Sequence, residues 1–252
     1  MRAIIIGAGR GQRLEPLTDD SHKTLTEIKG KRIIDWILAA LTANGIDDIV
    51  YIAGFNQHVI RAAFPQFTYV HNRAWETNNI LASLMCAEHL MDTPFVSTYC
   101  DILYTPAIVR HLVAAEADIA LGVDTHWLEH YRYRTQHPPT DAEKVTVQDG
   151  WVTKVNRGLS RAESYGEFIG VAKFTPSGAR QLREHYHRCK QRYVDTPFRN
   201  SPRFEQAMLI HLLDEMLEQG VRMAHVDTPG DYREIDTHED RALAEQFWRC
   251  AP

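Results

Sequence analysis

Ala3-Ile4-Ile5-Ile6-Gly7-Ala8-Gly9-Arg10-Gly11-Gln12-Arg13-Leu14-Glu15-Pro16-Leu17-Thr18, with His22-Lys23 close behind, is the stretch on which the reading of this chain turns. The β-branched run Ala3 to Ile6 ends abruptly in glycine and reads as a buried parallel strand feeding a tight turn. In an open parallel sheet, ligands gather beyond the carboxyl ends of the strands. Glycines let the backbone approach a phosphate closely and turn its N–H groups inward. Arg13 can grip phosphate oxygens through its planar fork. Lys23 adds a compact charge where negative charge grows in phosphoryl chemistry.

Three simpler motifs compete with that reading. A tight turn carrying surface arginine and lysine is the plainest. A dinucleotide fold needs GxGxxG, but Gly7, Gly9 and Gly11 give GxGxG, with Gln12 next. The acidic residue expected after its second strand is also missing, because Ala53-Gly54-Phe55 stands there. A P-loop needs GxxxxGK[ST], which the sequence lacks.

Outward from the loop, strands and helices alternate. Helical spacing covers 33–41, stopped by Asn44-Gly45. Strands are expected at 49–53, 67–70, 95–99 and 119–123. Helices are expected at 59–64, 80–90 and 106–115, the last with proline in its first turn. This alternation implies a parallel sheet covered on both faces. Beyond it, 124–141 reads as a long loop or short insert. A hairpin follows over 145–153, turning at Asp149-Gly150, and then a strand at 168–174. Helices at 177–188 and 204–219, strands at 221–226 and 232–235, and a helix at 238–248 complete the chain. No linker separates two domains.

Composition sets the outer limits. The 252 residues are 44% hydrophobic and 24% charged, enough for a large core and unlike disordered or fibrous chains. The net charge of −5 and the lack of a basic run exclude nucleic acid as the expected partner. Cys86, Cys100, Cys189 and Cys250 form no CxxC pair, so free thiols in a reducing compartment are expected. No apolar run reaches membrane-spanning length, and a cytoplasmic protein without membrane partners is the expectation. The sequence does not fix oligomeric state, and a homo-oligomer is compatible with it.

The opening segment resembles the signature of the nucleotidyltransferases that activate sugar phosphates and phosphocholine. That signature runs roughly AAGxGxRxxPLT, then [PH]K. Gly7 stands where the first alanine is usual. His22 replaces the commoner proline, as in the phosphocholine cytidylyltransferase branch. The resemblance implies a three-layer α/β/α Rossmann-like fold with a mixed, mainly parallel sheet and a small substrate-side insert. It implies one domain over 1–252, with a nucleotide-binding half at 1–123 and an acceptor-binding half at 124–252.

It also implies site residues. Ala8, Gly9 and Gly11 would bind the nucleotide, with Arg13 and Lys23 catalytic. Asn72, Asn79 and Ser83 fall in the segment near the nucleobase and ribose, although Asn78 or Asn79 would serve equally as a helix cap. Asp101 ends the fourth strand, where the family places a metal ligand. Asp236 lies in the late Glu234-Ile235-Asp236 segment and becomes the second ligand of a Mg²⁺ cofactor, a cation that takes one or two carboxylates plus phosphates and water. Trp127, Arg157, Tyr232 and Glu234 are the acceptor-site candidates, with Lys154 the alternative to Arg157 for the acceptor phosphate and the aromatic rings suited to a quaternary ammonium. Arg132 and Arg134 in the same region also fit an anionic acceptor.

The implied partners are CTP and a small phospho- or phosphono-acceptor. The implied reaction is in-line attack of the acceptor oxygen on the α-phosphorus of CTP, releasing pyrophosphate. That oxygen is already anionic at neutral pH, so alignment and charge neutralisation suffice. A sugar-1-phosphate uridylyl- or thymidylyltransferase and a non-catalytic nucleotide-binding regulator share these features.

Overall fold

A computed structural model describes residues 1–249; Cys250 lies outside the described residues. The chain runs through β1 (Arg2–Gly7), β2 (Glu27–Ile28), β3 (Lys31–Arg32), α1 (Ile33–Thr42), β4 (Asp48–Ala53), α2 (Gln57–Ala63), β5 (Thr68–His71) and α3 (Ile80–Met85). It continues with β6 (Phe95–Tyr99), β7 (Ile102–Tyr104), α4 (Pro106–Ala114), β8 (Ile119–Asp124) and α5 (Trp127–Tyr131). The last part comprises β9 (Lys144–Gln148), β10 (Trp151–Val155), β11 (Gly166–Phe174), α6 (Pro176–Arg192), α7 (Leu209–Glu218), β12 (Met223–Thr228), β13 (Tyr232–Glu234) and α8 (His238–Phe247).

Nine strands form one sheet in the order β5-β4-β1-β6-β11-β8-β12-β10-β9. Strands β5, β4, β1 and β6 are mutually parallel, as are β8 and β12, while β11 runs antiparallel between β6 and β8. Period-two alternation divides β1 between two cores: Ala3 and Ile5 face one side with α1 and α4, and Ile4 and Ile6 face the other with α3, α6 and α7. This is the three-layer α/β/α arrangement expected from the sequence. Each fully buried Ile of β1 contributes about 1.5–3 kcal/mol. Among the described residues no helix is long and apolar enough to cross a membrane.

Several elements depart from the sequence expectation. The helix expected at 204–219 is broken. A 3₁₀ turn at Phe204–Gln206 and an extended link precede α7. The turn and the link supply carbonyls to the start of α3: Asn79 N–H donates to Glu205 O (3.0 Å) and Leu81 N–H to Ala207 O (3.4 Å). These N–H groups would otherwise be orphaned at a helix end. The helix expected at 80–90 stops at Met85, with a separate 3₁₀ turn at Glu88–Leu90. The 124–141 region contains the short helix α5. Strand β13 stands outside the main sheet and pairs with β7, which the sequence did not reveal.

Candidate active site

The glycine loop lies where the parallel register puts it. Ile6 pairs with Tyr99, so Asp101, two residues past β6, emerges beside the start of the loop. Gly11 takes the left-handed conformation at φ +70°, which suits glycine, and a Cβ there would press on the Lys23 side chain at 3.0 Å. Thr18 Oγ1–H donates to Gly11 O (3.1 Å) and closes the loop from behind. Gly7 answers to Tyr51: a Cβ would meet its hydroxyl at 2.1 Å, so the position usually held by alanine is glycine here.

His22 buttresses the loop from inside. It is buried, with Nε2–H donating to Gly7 O (2.8 Å) and Nδ1 accepting from Thr24 N–H (3.3 Å). Burial pulls its pKa down to about 4, so the ring is neutral in this role.

Two acidic segments far apart in sequence meet through the β7–β13 ladder. Glu234 pairs with Ile102, and Ile235 N–H donates to Asp101 O (2.8 Å). Lys23 Nζ therefore sits between Asp101 Oδ2 (2.8 Å) and Asp236 Oδ1, and Arg13 pairs with Asp236 Oδ2. Burial alone would weaken the Lys23 ammonium, but Asp101 and Asp236 outweigh it and hold its pKa above the ordinary lysine value. Burial likewise disfavours charge on Asp236, yet Lys23 and Arg13 push its carboxyl down to about 2. Asp236 is further fixed by its N–H, which donates to Asp240 Oδ2 (3.1 Å).

These groups open into a cavity of about 900 Å³. At one end are Gly9, Gly11, Arg13, Lys23, Asn79 and Asp101. At the other are Tyr99, Glu143, Arg157, Glu167, Tyr232 and Glu234. Asn79 also caps α3, its Oδ1 accepting from Ile80 N–H (2.8 Å). Ala8 and Ser83 border a smaller cleft that continues from the loop. Asn72 is buried behind that wall, bonded to Asn78 and Ser83. Trp127 lies elsewhere: its ring is buried against Tyr131 and Ala142 and lines neither chamber. Arg134 is committed to Glu234 (2.9 Å) and Asp240 (2.7 Å), which removes it as a free anion ligand.

Three residues of the far wall escaped the sequence reading. Tyr99 O–H donates to Glu143 Oε2 (3.3 Å), Arg157 pairs with Glu143 (3.2 Å), and Tyr131 O–H donates to Glu167 Oε1 (2.8 Å). Burial raises the Glu143 pKa, and burial with the nearby Glu234 charge pushes Glu167 up to about 8. Glu234 is half-buried, and desolvation with the Asp236 charge beside it pushes its pKa up to about 7. The far wall is thus short of positive charge, while the loop end is well supplied with it. Such a cavity can take a polyphosphate at one end and a cation at the other.

The family described as the MobA-like NTP transferase domain matches residues 3–142, more than half of the chain. The chain belongs to this family. The resemblance carried by Gly7–Thr18 and His22-Lys23 is borne out, and the MobA-like NTP transferase domain fixes the class of chemistry as nucleotidyl transfer. Over 253 residues the chain is 28% identical to the CTP:phosphoglutamine cytidylyltransferase of Campylobacter jejuni, covering 95% of this chain and 97% of the relative. It is 25% identical over 256 residues to the UTP–glucose-1-phosphate uridylyltransferase of Haloferax volcanii, covering 98% and 96%. The solved CTP:phosphocholine cytidylyltransferase of Streptococcus pneumoniae shares the fold, with a TM-score of 0.75 at 17% identity over 97% of each chain.

Proposed function

We propose that this transferase moves CMP from CTP to a small acceptor that carries a phosphate or phosphonate and a cationic amine, releasing pyrophosphate. The observation that carries this reading is the pair of unlike ends in one cavity. Lys23 and Arg13 offer charge for a triphosphate, whereas Glu143 and Glu167 are buried and Glu234 half-buried beside Tyr99, Phe168 and Tyr232, and among the described residues only Arg134 and Arg157 are in ion-pair contact with them. An ammonium between them would relieve the burial of those carboxylates, and the rings would add cation–π attraction. A sugar phosphate supplies no cation against which those carboxyls could ionise. The full-length likeness to a cytidylyltransferase acting on a phosphorylated amino acid supports the same choice.

In this scheme Gly9 and Gly11 cradle the triphosphate, and Asn79 and Ser83 line the path to the base. Lys23 leaves its carboxylates for the α-phosphate as charge builds there, with Arg13 on the departing pyrophosphate. Arg157 holds the acceptor phosphate in line for attack. No general base is needed, since the attacking oxygen is already anionic.

Asp101 and Asp236 fit a divalent cation. Asp101 Oδ1 is buried without a hydrogen-bond partner, so one acceptor in the site is unsatisfied. Two carboxylates are not a complete cage, and among the described residues no cluster of three ligating side chains exists; Mg²⁺ characteristically completes its shell with phosphates and water. When bound there it would neutralise triphosphate charge. We place the reaction in the cytoplasm, where nucleoside triphosphates are made.

The test is pyrophosphate release from each of CTP, UTP and dTTP, with Mg²⁺, across phosphocholine, aminoalkylphosphonates, phosphorylated amino acids and glucose 1-phosphate. CTP with an amine-bearing acceptor is the expected best pair. Preferred turnover of UTP with glucose 1-phosphate overturns the proposal, and CTP binding without any turnover points to a regulator.

A further inference from the structure

Behind the acceptor end lies a second chamber of about 330 Å³, and Glu167, Tyr232 and Glu234 line both spaces. The two spaces therefore adjoin at these side chains. On the far side the chamber is built by α5, by the Pro229–Gly230 turn and by α8, through His130, Leu243 and Phe247, and Arg233 of β13 lines it with them.

Arg233 is the unusual group there. Its Nη1–H bonds run to His130 Nε2 (2.6 Å), Gly230 O (2.9 Å) and Tyr232 O, all neutral acceptors. Among the described residues it has no ion-pair partner, whereas Arg134 beside it is held by two carboxylates. Burial lowers the Arg233 pKa below the ordinary arginine value, the direction expected of a guanidinium that lacks a close anion.

The guanidinium is held in place by a chain of contacts. Asp124 is fully buried, and its Oδ1 accepts from His126 N–H (2.8 Å) and Gly230 N–H (2.9 Å). Its Oδ2 has no hydrogen-bond partner and lies 3.5 Å from His130 Nδ1. With Nε2 accepting from Arg233, the proton of neutral His130 is on Nδ1, facing that carboxylate. His130 also stacks on Tyr232, with ring centroids 6.2 Å apart.

We infer that this chamber is the tail pocket of the acceptor site, and that it receives a carboxylate on Arg233 while the neighbouring ammonium stays at the shared wall of Glu167 and Glu234. The acceptor class is then an amino acid bearing a terminal phosphate or phosphonate, rather than a simple alkylamine. The inference rests on the transfer reading above. It narrows the acceptor from any cationic amine to one that also carries an α-carboxylate.

Matched acceptors separate the two. 2-Amino-4-phosphonobutyrate and 3-aminopropylphosphonate differ only by the α-carboxylate. The wild-type enzyme should show the higher kcat/KM with the amino acid. Arg233→Gln should lower that value by about 10- to 100-fold, the worth of a hydrogen bond to a charged group, and leave the simple amine unchanged. Leu243→Trp, which fills the chamber from α8 and leaves the Arg233 side chain in the sequence, should discriminate in the same direction. Equal use of both acceptors by the wild type, or equal losses on both in Arg233→Gln, overturns the inference. If neither compound is turned over with any nucleoside triphosphate, the transfer reading is what fails. Calorimetric titration of the same pair then decides the pocket: tighter binding of the amino acid, abolished in Arg233→Gln, supports it, and equal binding refutes it.

Discussion

The two ends of the cavity are built in opposite ways. The loop end comes from one short segment, Gly7 to Lys23, with Asp101 delivered by β6, the strand hydrogen-bonded to β1. Its charges are matched, since Lys23 and Arg13 saturate Asp236 and leave Asp101 half satisfied. The far end is assembled from the insert, β9, β11 and β13, and its carboxylates outnumber their partners. A matched cluster can release its cations to a polyanion and recover them afterwards. An unmatched one waits for a cation from outside. The contrast separates the two ends by physical means alone.

The loop end should give the largest effects. Lys23→Ala and Asp101→Ala are each expected to lower kcat by at least ~10²-fold, because they act on charge that develops in the transition state. Pyrophosphate release at saturating substrates measures this. Turnover near the wild-type rate in either variant would remove that residue from the chemistry. Lys23→Ala should also lower Tm, since it removes the ion-pair partner of buried Asp236 Oδ1.

How much of each end was legible follows from how it is built. The loop, Lys23 and the strand-end Asp101 were readable because the signal is local: a β-branched run, glycines, then cations within sixteen residues of Gly7. Glu234 and Asp236 were found as an alternating pair, but not the β7–β13 ladder that brings them to Asp101, since two three-residue strands carry too little periodicity. Glu143 and Glu167 were invisible. Each is an isolated acid within or beside a strand, and only the folding back of β9 onto β11 turns them into one wall. Trp127 misled for the converse reason: an aromatic in a polar insert reads as a ligand contact, whereas α5 turns it inward. Asn72 misled likewise, its amide serving Asn78 and Ser83.

The far end should respond in affinity before rate. Glu234→Gln removes a charge from the wall while keeping a hydrogen-bonding shape, and should raise KM for an amine-bearing acceptor by about 10- to 100-fold. The KM for CTP should stay nearer the wild-type value. A fall in kcat with unchanged acceptor KM would move Glu234 to the loop end of the comparison.

Glu167 sharpens the contrast through pH. Its pKa is raised from 4.5 to about 8 in the folded chain, first by burial and then by Glu234. The folded state therefore holds a proton that the unfolded state has released across the window from 4.5 to about 8. Stability falls as pH rises through that window. Glu167→Gln should abolish this contribution, so its Tm should exceed that of the wild type by roughly 5 °C or more at pH 8.5, and match it near pH 5. Thermal melts across pH measure it, and a constant offset between the two proteins would refute the assignment. The same variant should weaken acceptor binding, which makes the wall a place where stability is given up for recognition.

The smallest expected effect marks the boundary of the far end. Trp127→Phe keeps an aromatic ring against Tyr131 and Ala142 and should cost about 1 kcal/mol of stability. Its acceptor KM should remain at the wild-type value, since the indole lines neither chamber. Tyr131 is the one route by which it could reach the site, because the Tyr131 hydroxyl holds Glu167. A KM increase as large as that of Glu234→Gln would mean that α5 moves as a unit with the acceptor wall, and the far end would then extend through the insert rather than stop at Tyr232.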